Sequence, residues 1–377
     1  MKILSLFDGL SCARIALERA EIPVEAYYAS EIDKYAMQIS AKNYPDIVQV
    51  GDVSKLGKEN PYPKELLDGV DLIVFGSPCT DLSIAKKNRQ GLKGNASGLF
   101  YEAVRIMYDL KPRFFLMENV ASMSRESRDE ITKVFNKYLS MKINNTEFPI
   151  MINAALVSAQ NRKRLFWTNI PNVTLPEDKK LVIADVLKIK VDNKENKIIT
   201  TRIEKDVRIR KNYIDTKKLC LFLREHKNKT MKEIAKYCEV PLTKAEHWFR
   251  LDSSFAIPEE KHWFSLKECL SIETDEWDKQ ITEFEIRKGK YDMSNRVYNI
   301  KGKHPTITTI SGGHQVKTIT NGIDSFFLDI EHYEEMQGIP KKYTEGISLN
   351  QRRKVLGNAF NVDVVSWILS FIPKQVI

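Results

Sequence analysis

Cysteines stand at positions 12, 79, 220, 238 and 269, and Cys79 is the one placed to do chemistry. It follows Gly76-Ser77-Pro78, which closes the short apolar run Leu72 to Phe75. That run reads as a buried strand ending in a tight turn, and the carboxyl edge of an open α/β sheet is where ligands and reactive groups gather. A thiol held there by a proline-stiffened loop is placed like a nucleophile, although a packed core cysteine is the commoner role for a lone Cys. The run Arg113 to Met117 reads as another buried strand and ends in Glu118-Asn119-Val120. Cys79 and Glu118 are roughly forty residues apart, the length of one βαβ unit. A thiol and a carboxyl group at neighbouring strand ends reach one small substrate, which favours a catalytic Cys79. Gln160, Arg162 and Arg164 then alternate ahead of an apolar strand, so they share one face of an extended segment. Arginine there suits a pyrimidine carbonyl or a phosphate, with an exposed basic edge strand as the plainer alternative.

The elements that position these groups read as alternating strands and helices. Lys2 to Phe7 is a first strand, Asp8 to Arg14 a turn and Ile15 to Ala20 a helix. Gly9 is the single glycine of the turn, so the dinucleotide pattern fails and an adenosine-type ligand without phosphates fits better. A second strand, Tyr27 to Ser30, ends at Glu31-Ile32-Asp33, roughly twenty residues on, where a ribose diol is gripped in such folds. Val48 to Val50 ends at Gly51-Asp52-Val53, placing a further acid for an adenine amino group. Helices are expected over Lys34–Asn43, Gly98–Leu110 and Ser122–Met141, and a strand over Ile150–Val157. The segment Ile84 to Ser97 is polar and basic, with Lys86, Lys87, Arg89 and Lys93, and reads as a loop able to close over a polyanion.

The chain has 377 residues, 42% hydrophobic and 29% charged, with net charge +9. The charge favours a polyanionic partner. No apolar run is long enough to span a membrane, and Met1 opens directly on a strand, so no signal peptide is expected. Without a CxxC pair the cysteines read as reduced cytosolic thiols, and without HExxH or Cys/His zinc spacing no metal site is expected. From about Val173 the chain turns Lys/Glu-rich and loses the alternation, which predicts an inserted second domain: 1–172, then 173–320, then a return to the first domain over 321–377. The last apolar helix, Val362 to Phe371, packs back on the first sheet. Within the insert, residues 230–250 read as a helix-turn-helix. Thr230 and Thr243 cap its helices, Ile234, Ala235 and Cys238 face inward, and Glu239 stands at the usual turn glycine. Its second helix exposes Lys244, Glu246, His247 and Arg250; a purely structural hairpin is the alternative. Arg296 to Gly313, ending in Gly312-Gly313, suits phosphate and groove contacts.

In this order, these residues resemble the cytosine-5 DNA methyltransferase family over nearly the whole chain outside about 173–290. Phe7-Asp8-Gly9 is similar to its first motif, and Glu31 and Asp52 to the next two cofactor acids. Ser77-Pro78-Cys79 is similar to its catalytic loop. Glu118-Asn119-Val120, Gln160-x-Arg162-x-Arg164 and Gly357-Asn358 complete the series. Phe-Asp-Gly and Pro-Cys-Thr-Asp-Leu-Ser look closest to the de novo branch and its prokaryotic or phage relatives. Thr80 replaces the glutamine of many members, and Ser11-Cys12 replaces the second glycine of the first motif.

The resemblance implies a Rossmann-like class I S-adenosylmethionine-dependent methyltransferase fold, α/β with a mostly parallel sheet, plus a smaller target-recognition domain. It implies methyl transfer to C5 of a cytosine flipped out of duplex DNA. Cys79 attacks C6, Glu118 holds N3 and the amine, Arg162 the carbonyl side, and Asn119 braces the loop. S-adenosylmethionine would be held by Phe7, Asp8, Gly9, Leu10, Ser11, Glu31, Ile32, Asp52 and Val53, with Ser77, Pro78, Leu99, Asn358 and Ala359. DNA would meet Ser83, Lys86, Arg89, Arg164, Arg296, Thr308, Gly312 and Gly313, besides Lys244, His247 and Arg250. The implied partner is double-stranded DNA, with a cognate restriction endonuclease acting separately, for a monomer in the cytoplasm at the nucleoid. The rivals are the same chemistry on tRNA and a silent DNA-binding regulator. An amino-group methyltransferase is less favoured, because the chain lacks a Pro-Pro-Tyr-type loop.

Overall fold

Strand residues of this chain alternate between two cores. The computed structural model describes residues 1–77, 95–139, 149–202, 206–288, 296–309 and 316–376. The chain divides into two units, Met1–Arg202 with Arg296–Ile377, and Ile203–Asn295. The first begins with β1 (Lys2–Leu6), α1 (Cys12–Arg19), β2 (Ala26–Ser30), α2 (Lys34–Asn43), β3 (Val48–Gln49), α3 (Lys64–Leu67) and β4 (Leu72–Phe75). It continues with α4 (Asn95–Leu110), β5 (Phe114–Val120), α5 (Arg125–Leu139), β6 (Ile150–Asn153), β7 (Lys163–Thr168), α6 (Ile183–Val186) and β8 (Thr200–Arg202). Seven strands form one sheet in the order β3-β2-β1-β4-β5-β7-β6, in which β7 runs antiparallel to both neighbours.

The period of two along each strand sets the layers. Ile3, Leu72, Val74, Phe114 and Leu116 enter one core, and Leu4, Leu6, Ile73, Phe75, Phe115 and Met117 enter the other. Strands buried on both faces must be apolar at every position, which is why Leu72 to Phe75 reads as an unbroken run. Helices α1 and α2 cover the first core, α4 and α5 the second. Because the order reverses between β1 and β4, the helices that follow them, α1 and α4, lie on opposite faces and leave a crevice at the paired carboxyl ends. Reversed β7 brings its amino end, with Arg162 and Arg164, to that same edge.

In the second unit, β9 (Asp206–Arg210) pairs antiparallel with β10 (Phe284–Lys288). Between them come α7 (Thr216–Glu225), α8 (Met231–Tyr237), α9 (Leu242–His247), α10 (Glu260–Leu270) and α11 (Asp278–Thr282) around buried Trp248 and Trp263. The first unit then resumes with β11 (Arg296–Asn299), β12 (Thr318–Thr320), β13 (Ser325–Phe327), α12 (Ile330–Met336), α13 (Leu349–Asn358) and α14 (Val362–Leu369). A second sheet of order β13-β12-β11-β8 lies in this unit. No described helix is long and apolar enough to cross a membrane.

Three expectations shift. The inserted unit is shorter than 173–320, because Val182, Ile183, Ala184, Tyr298, Ile300 and Ile319 are buried in the first unit's core. The strand from Ile150 stops at Asn153, whose side chain accepts the Ala155 N–H at 3.1 Å and starts a short 3-10 turn. In the helix pair α8 and α9, the Thr230–Glu233 capping box forms and Ile234, Ala235 and Cys238 are buried. However, α9 starts at Leu242 after Pro241, not after Thr243. Glu239, in place of the turn glycine, takes the left-handed φ of 53° that the turn requires.

Candidate active site

The first wall of the crevice is the turn from β1 to α1, where Phe7, Gly9 and Ser11 all have positive φ. A non-glycine residue in that region costs about 1 kcal/mol or more, so the turn needs support from outside. Asp8 supplies it from below: its buried carboxylate accepts the Tyr27 and Ser11 hydroxyls, each at 2.6 Å. Burial pushes the Asp8 pKa up. Glu31 supplies support from the side, accepting the Gly9 N–H at 2.8 Å and the Ile32 and Asp33 N–H groups at 2.7 and 2.8 Å. Leu10 and Ser11 point into the protein, Leu10 in the apolar core and Ser11 Oγ between Asp8 and Ser40. Their side chains do not line the crevice.

Phe7, Asp8, Gly9, Glu31, Ile32, Asp52, Val53, Ser77, Leu99, Asn358 and Ala359 do line one cleft of about 480 Å³, within the usual range for ligand sites. Ile32 is 74% exposed at this cleft, an apolar surface beside an acid. Asp52 is fixed by the Ser54 N–H and hydroxyl, both at 2.8 Å.

The second wall carries the reactive groups. Glu118 Oε1 lies 2.6 Å from Arg164 Nε. Buried Asn119 donates to the Ser77 hydroxyl at 3.2 Å and to its carbonyl at 3.4 Å, tying the end of β4 to β5. Gly76 permits the close approach: a Cβ there would lie 2.7 Å from the Phe360 ring and 3.4 Å from Glu118 Oε2. Pro78, Cys79, Ser83, Lys86, Arg89, Gly312 and Gly313 lie outside the described residues. The other four cysteines are free and buried. Burial pushes the Cys12 thiol up to about 12 and Cys238 to about 11, and raises Cys220 and Cys269. None of them offers a thiolate near neutral pH, and the remaining thiol, two residues beyond Ser77, is Cys79.

Residues 1–374 match the family model of the C-5 cytosine-specific DNA methylases. The chain belongs to that family. Among curated relatives, a type II methyltransferase of Neisseria gonorrhoeae is 28% identical over 179 residues, 45% of this chain and 41% of the relative. An orphan methyltransferase of Bacillus phage SPbeta is 24% identical over 360 residues, 84% of this chain and 72% of the relative. The matches to the two leading relatives span 41% and 38% of those proteins' own length. The structure of a methyltransferase from Entamoeba histolytica has a TM-score of 0.56 at 14% identity, covering 100% of this chain and 99% of its own. The Dnmt2 methyltransferase of S. pombe has a TM-score of 0.52 at 15% identity, with the same coverages. These two share the fold, a Rossmann-like sheet.

The two arginines stand in different surroundings. Arg162, expected on the substrate, is buried and donates to the carbonyls of Ile307 (3.0 Å), Ala359 (2.8 Å) and Gly357 (3.4 Å). It fastens the distant segments that close the cleft. Arg164, expected on DNA, is the one that meets Glu118. Gln160 joins Arg162 in the fastening, accepting the Ile307 N–H at 3.0 Å and donating to Gln337 at 3.0 Å. Buried Lys303 adds a 3.0 Å bond to the Ser158 carbonyl, and burial draws its pKa down to about 8.

Sequence reading named Gly357, Asn358 and Ala359 on the third wall but not Val355 and Phe360, which also line the cleft, nor Lys354, whose Nζ bridges to Asp33 at 2.7 Å. The glycine at 357 marks a close approach. A Cβ there would lie 2.4 Å from the Thr308 carbonyl carbon and the Thr309 nitrogen, both backbone. Gly357→Ala is therefore expected to destabilise the protein by about 2–3 kcal/mol, read as a lower urea midpoint, and to weaken S-adenosylmethionine binding in titration calorimetry.

The residues expected on DNA scatter. Thr308 is exposed beside Gly357, and Arg296 is half-buried in β11. On α9, Lys244 is paired with Glu259 at 2.8 Å and the His247 ring nitrogen lies 2.7 Å from the Ser254 carbonyl. Arg250, past the end of α9, stays half exposed and 3.4 Å from Asp252.

Proposed function

We propose that the protein methylates C5 of a flipped cytosine in duplex DNA through a covalent Cys79 adduct, with S-adenosylmethionine as methyl donor. The observation that carries the reading is the Glu118–Arg164 pair at 2.6 Å, one strand from the segment that leads into Cys79. Glu118 and Arg164 together present an acceptor and a fixed cation to the edge of one pyrimidine ring. Arg164 takes the carbonyl side, since Arg162 is committed to backbone carbonyls.

The chemistry follows from these groups. The Cys79 thiolate forms a bond to C6, and the displaced ring electrons collect at C5 and along N3 and the carbonyl. Glu118 accepts a hydrogen bond from the exocyclic amine and shares a proton with N3 as charge builds there, while Arg164 offsets the charge at the carbonyl, acting where charge develops. After C5 is alkylated it gives up its proton to water, the electron pair re-forms the C5–C6 double bond, the C6–sulfur bond breaks and the Cys79 thiolate is restored. Asn119 keeps Ser77, and so the approach to Cys79, in register with β5.

The cleft suits an adenosine-type sulfonium donor. It offers Glu31 and Asp52, bare backbone at Gly9 and an apolar face at Ile32. S-adenosylmethionine, when bound, supplies an electrophilic methyl group. Glu31 would hold its ribose hydroxyls, Asp52 its adenine amino group and Ile32 the adenine face. A cognate restriction endonuclease would follow the type II relative by analogy, and its absence the orphan phage relative. Expression in a methylation-free host followed by bisulfite sequencing tests the reading. Protected cytosines in one sequence context are expected, and their complete absence overturns it.

A further inference from the structure

The second unit carries a groove along α7 whose charge is not matched by its own acids. Two adjoining hollows of about 450 and 290 Å³ share Arg250. On one wall stand Lys217, Leu221, Arg224 and Lys227, spaced by four, three and three residues, so they lie on one helical stripe that runs just past the end of α7. On the other stand Arg250 and Leu251, with Glu246 and Asp252 as the only lining acids among the described residues. Asp252 is already 3.4 Å from Arg250. The side chains of Lys217 and Lys227 have no ion pair or hydrogen bond among the described residues, whereas Lys244 on α9 is neutralised by Glu259. Leu221 and Leu251 are about half exposed within the groove, an apolar floor between cations.

We propose that this groove, not the exposed side of α9, grips one phosphate strand of the DNA duplex. The inference rests on duplex DNA being the substrate. Lys217 and Arg224 are two helical turns apart, about 10 Å, and one strand of duplex carries a phosphate every ~3.4 Å of its axis. The stripe therefore meets successive phosphates of one strand, with Arg250 opposite. Leu221 and Leu251 suit the apolar faces of deoxyribose between them. Contacts of this kind position the protein without reading bases, so this surface sets affinity and register while leaving target choice to other residues.

Fluorescence anisotropy of the full-length protein with a labelled 30-base-pair duplex, titrated at several salt concentrations, tests the assignment. Each phosphate left without its cation lowers the steepness of log K against log salt by about 0.9. Lys217→Gln and Lys227→Gln, which break no described bond, are each expected to lower the slope by about that amount. Combined with Arg224→Gln and Arg250→Gln they are expected to lower it by about 3 to 4. Lys244→Gln is expected to leave it unchanged. Circular dichroism on each variant establishes that it is folded. An unchanged slope in folded Lys217→Gln and Lys227→Gln overturns the groove while leaving the DNA substrate intact. Failure of the unmutated protein to bind any duplex overturns the substrate reading and the groove with it. Binding of polyglutamate that depends on these lysines, beside duplex binding that does not, overturns DNA in favour of an acidic peptide.

Discussion

Cys79→Ser is expected to cut methyl transfer by on the order of 10⁴-fold or more, the scale on which a missing nucleophile is felt, while duplex binding changes by less than about twofold. A thiol with an ordinary pKa is a few per cent thiolate at neutral pH, and thiolate is intrinsically very nucleophilic. A serine hydroxyl is essentially un-ionised there. The four buried cysteines cannot stand in for it, since burial holds their thiols protonated. Single-turnover transfer of labelled methyl groups to duplex DNA, beside anisotropy for binding, separates the two effects. Methyl transfer at the unmutated rate in Cys79→Ser would remove the covalent adduct from the mechanism.

The second large effect is a contrast between two arginines two residues apart. Arg162→Lys replaces a planar fork by a point charge and takes donors from the carbonyls of Ile307, Gly357 and Ala359, the first and last of them buried. An unsatisfied buried polar group costs about 1–3 kcal/mol, so a loss of about 3–5 kcal/mol in stability is expected, with reduced occupancy of the cofactor cleft. Arg164→Lys keeps a cation near Glu118 at a partly exposed site, and stability is expected to stay within about 1 kcal/mol. Its kcat is expected to fall about 10²–10³-fold, as for loss of one preorganised donor. Urea melts and steady-state kinetics on both variants decide the assignment. If Arg162→Lys is as stable as the unmutated protein and Arg164→Lys is fully active, the roles are those that the family resemblance implied, with Arg162 on the substrate and Arg164 on DNA.

The sheet was legible because its strands are apolar on both faces and end in glycine, acids or proline. Leu72–Phe75, Phe114–Met117 and Tyr27–Ser30 all show it. So was the gathering of Gly9, Glu31, Asp52, Ser77 and Glu118, since parallel strands deliver their carboxyl ends to one edge. Alternation could place Arg162 and Arg164 on one face but could not tell them apart. What separates them is the carbonyls of residues about 145 to 197 positions away, and backbone groups leave no mark in the sequence. Lys303 was missed for the same reason, since nothing distinguishes a buried lysine from its many exposed neighbours. The inserted unit came out too long because charge density around 173–202 reads as a new domain, although scattered apolar residues there are enough to pack on the old one.

The cleft's third wall comes from Val355 to Phe360, whereas the first two are complete by Val120 apart from Arg162 and Arg164. At about 5–20 residues per second, the ribosome takes roughly 10–50 s to travel from one to the other. During that interval the nascent chain has a sheet edge with its acids in place but no wall across it, and Arg162 emerges with the carbonyls it will bind still unmade. The cleft therefore belongs to the finished polypeptide, and a chain that stalls within the inserted unit holds Cys79 without the wall that closes the cleft.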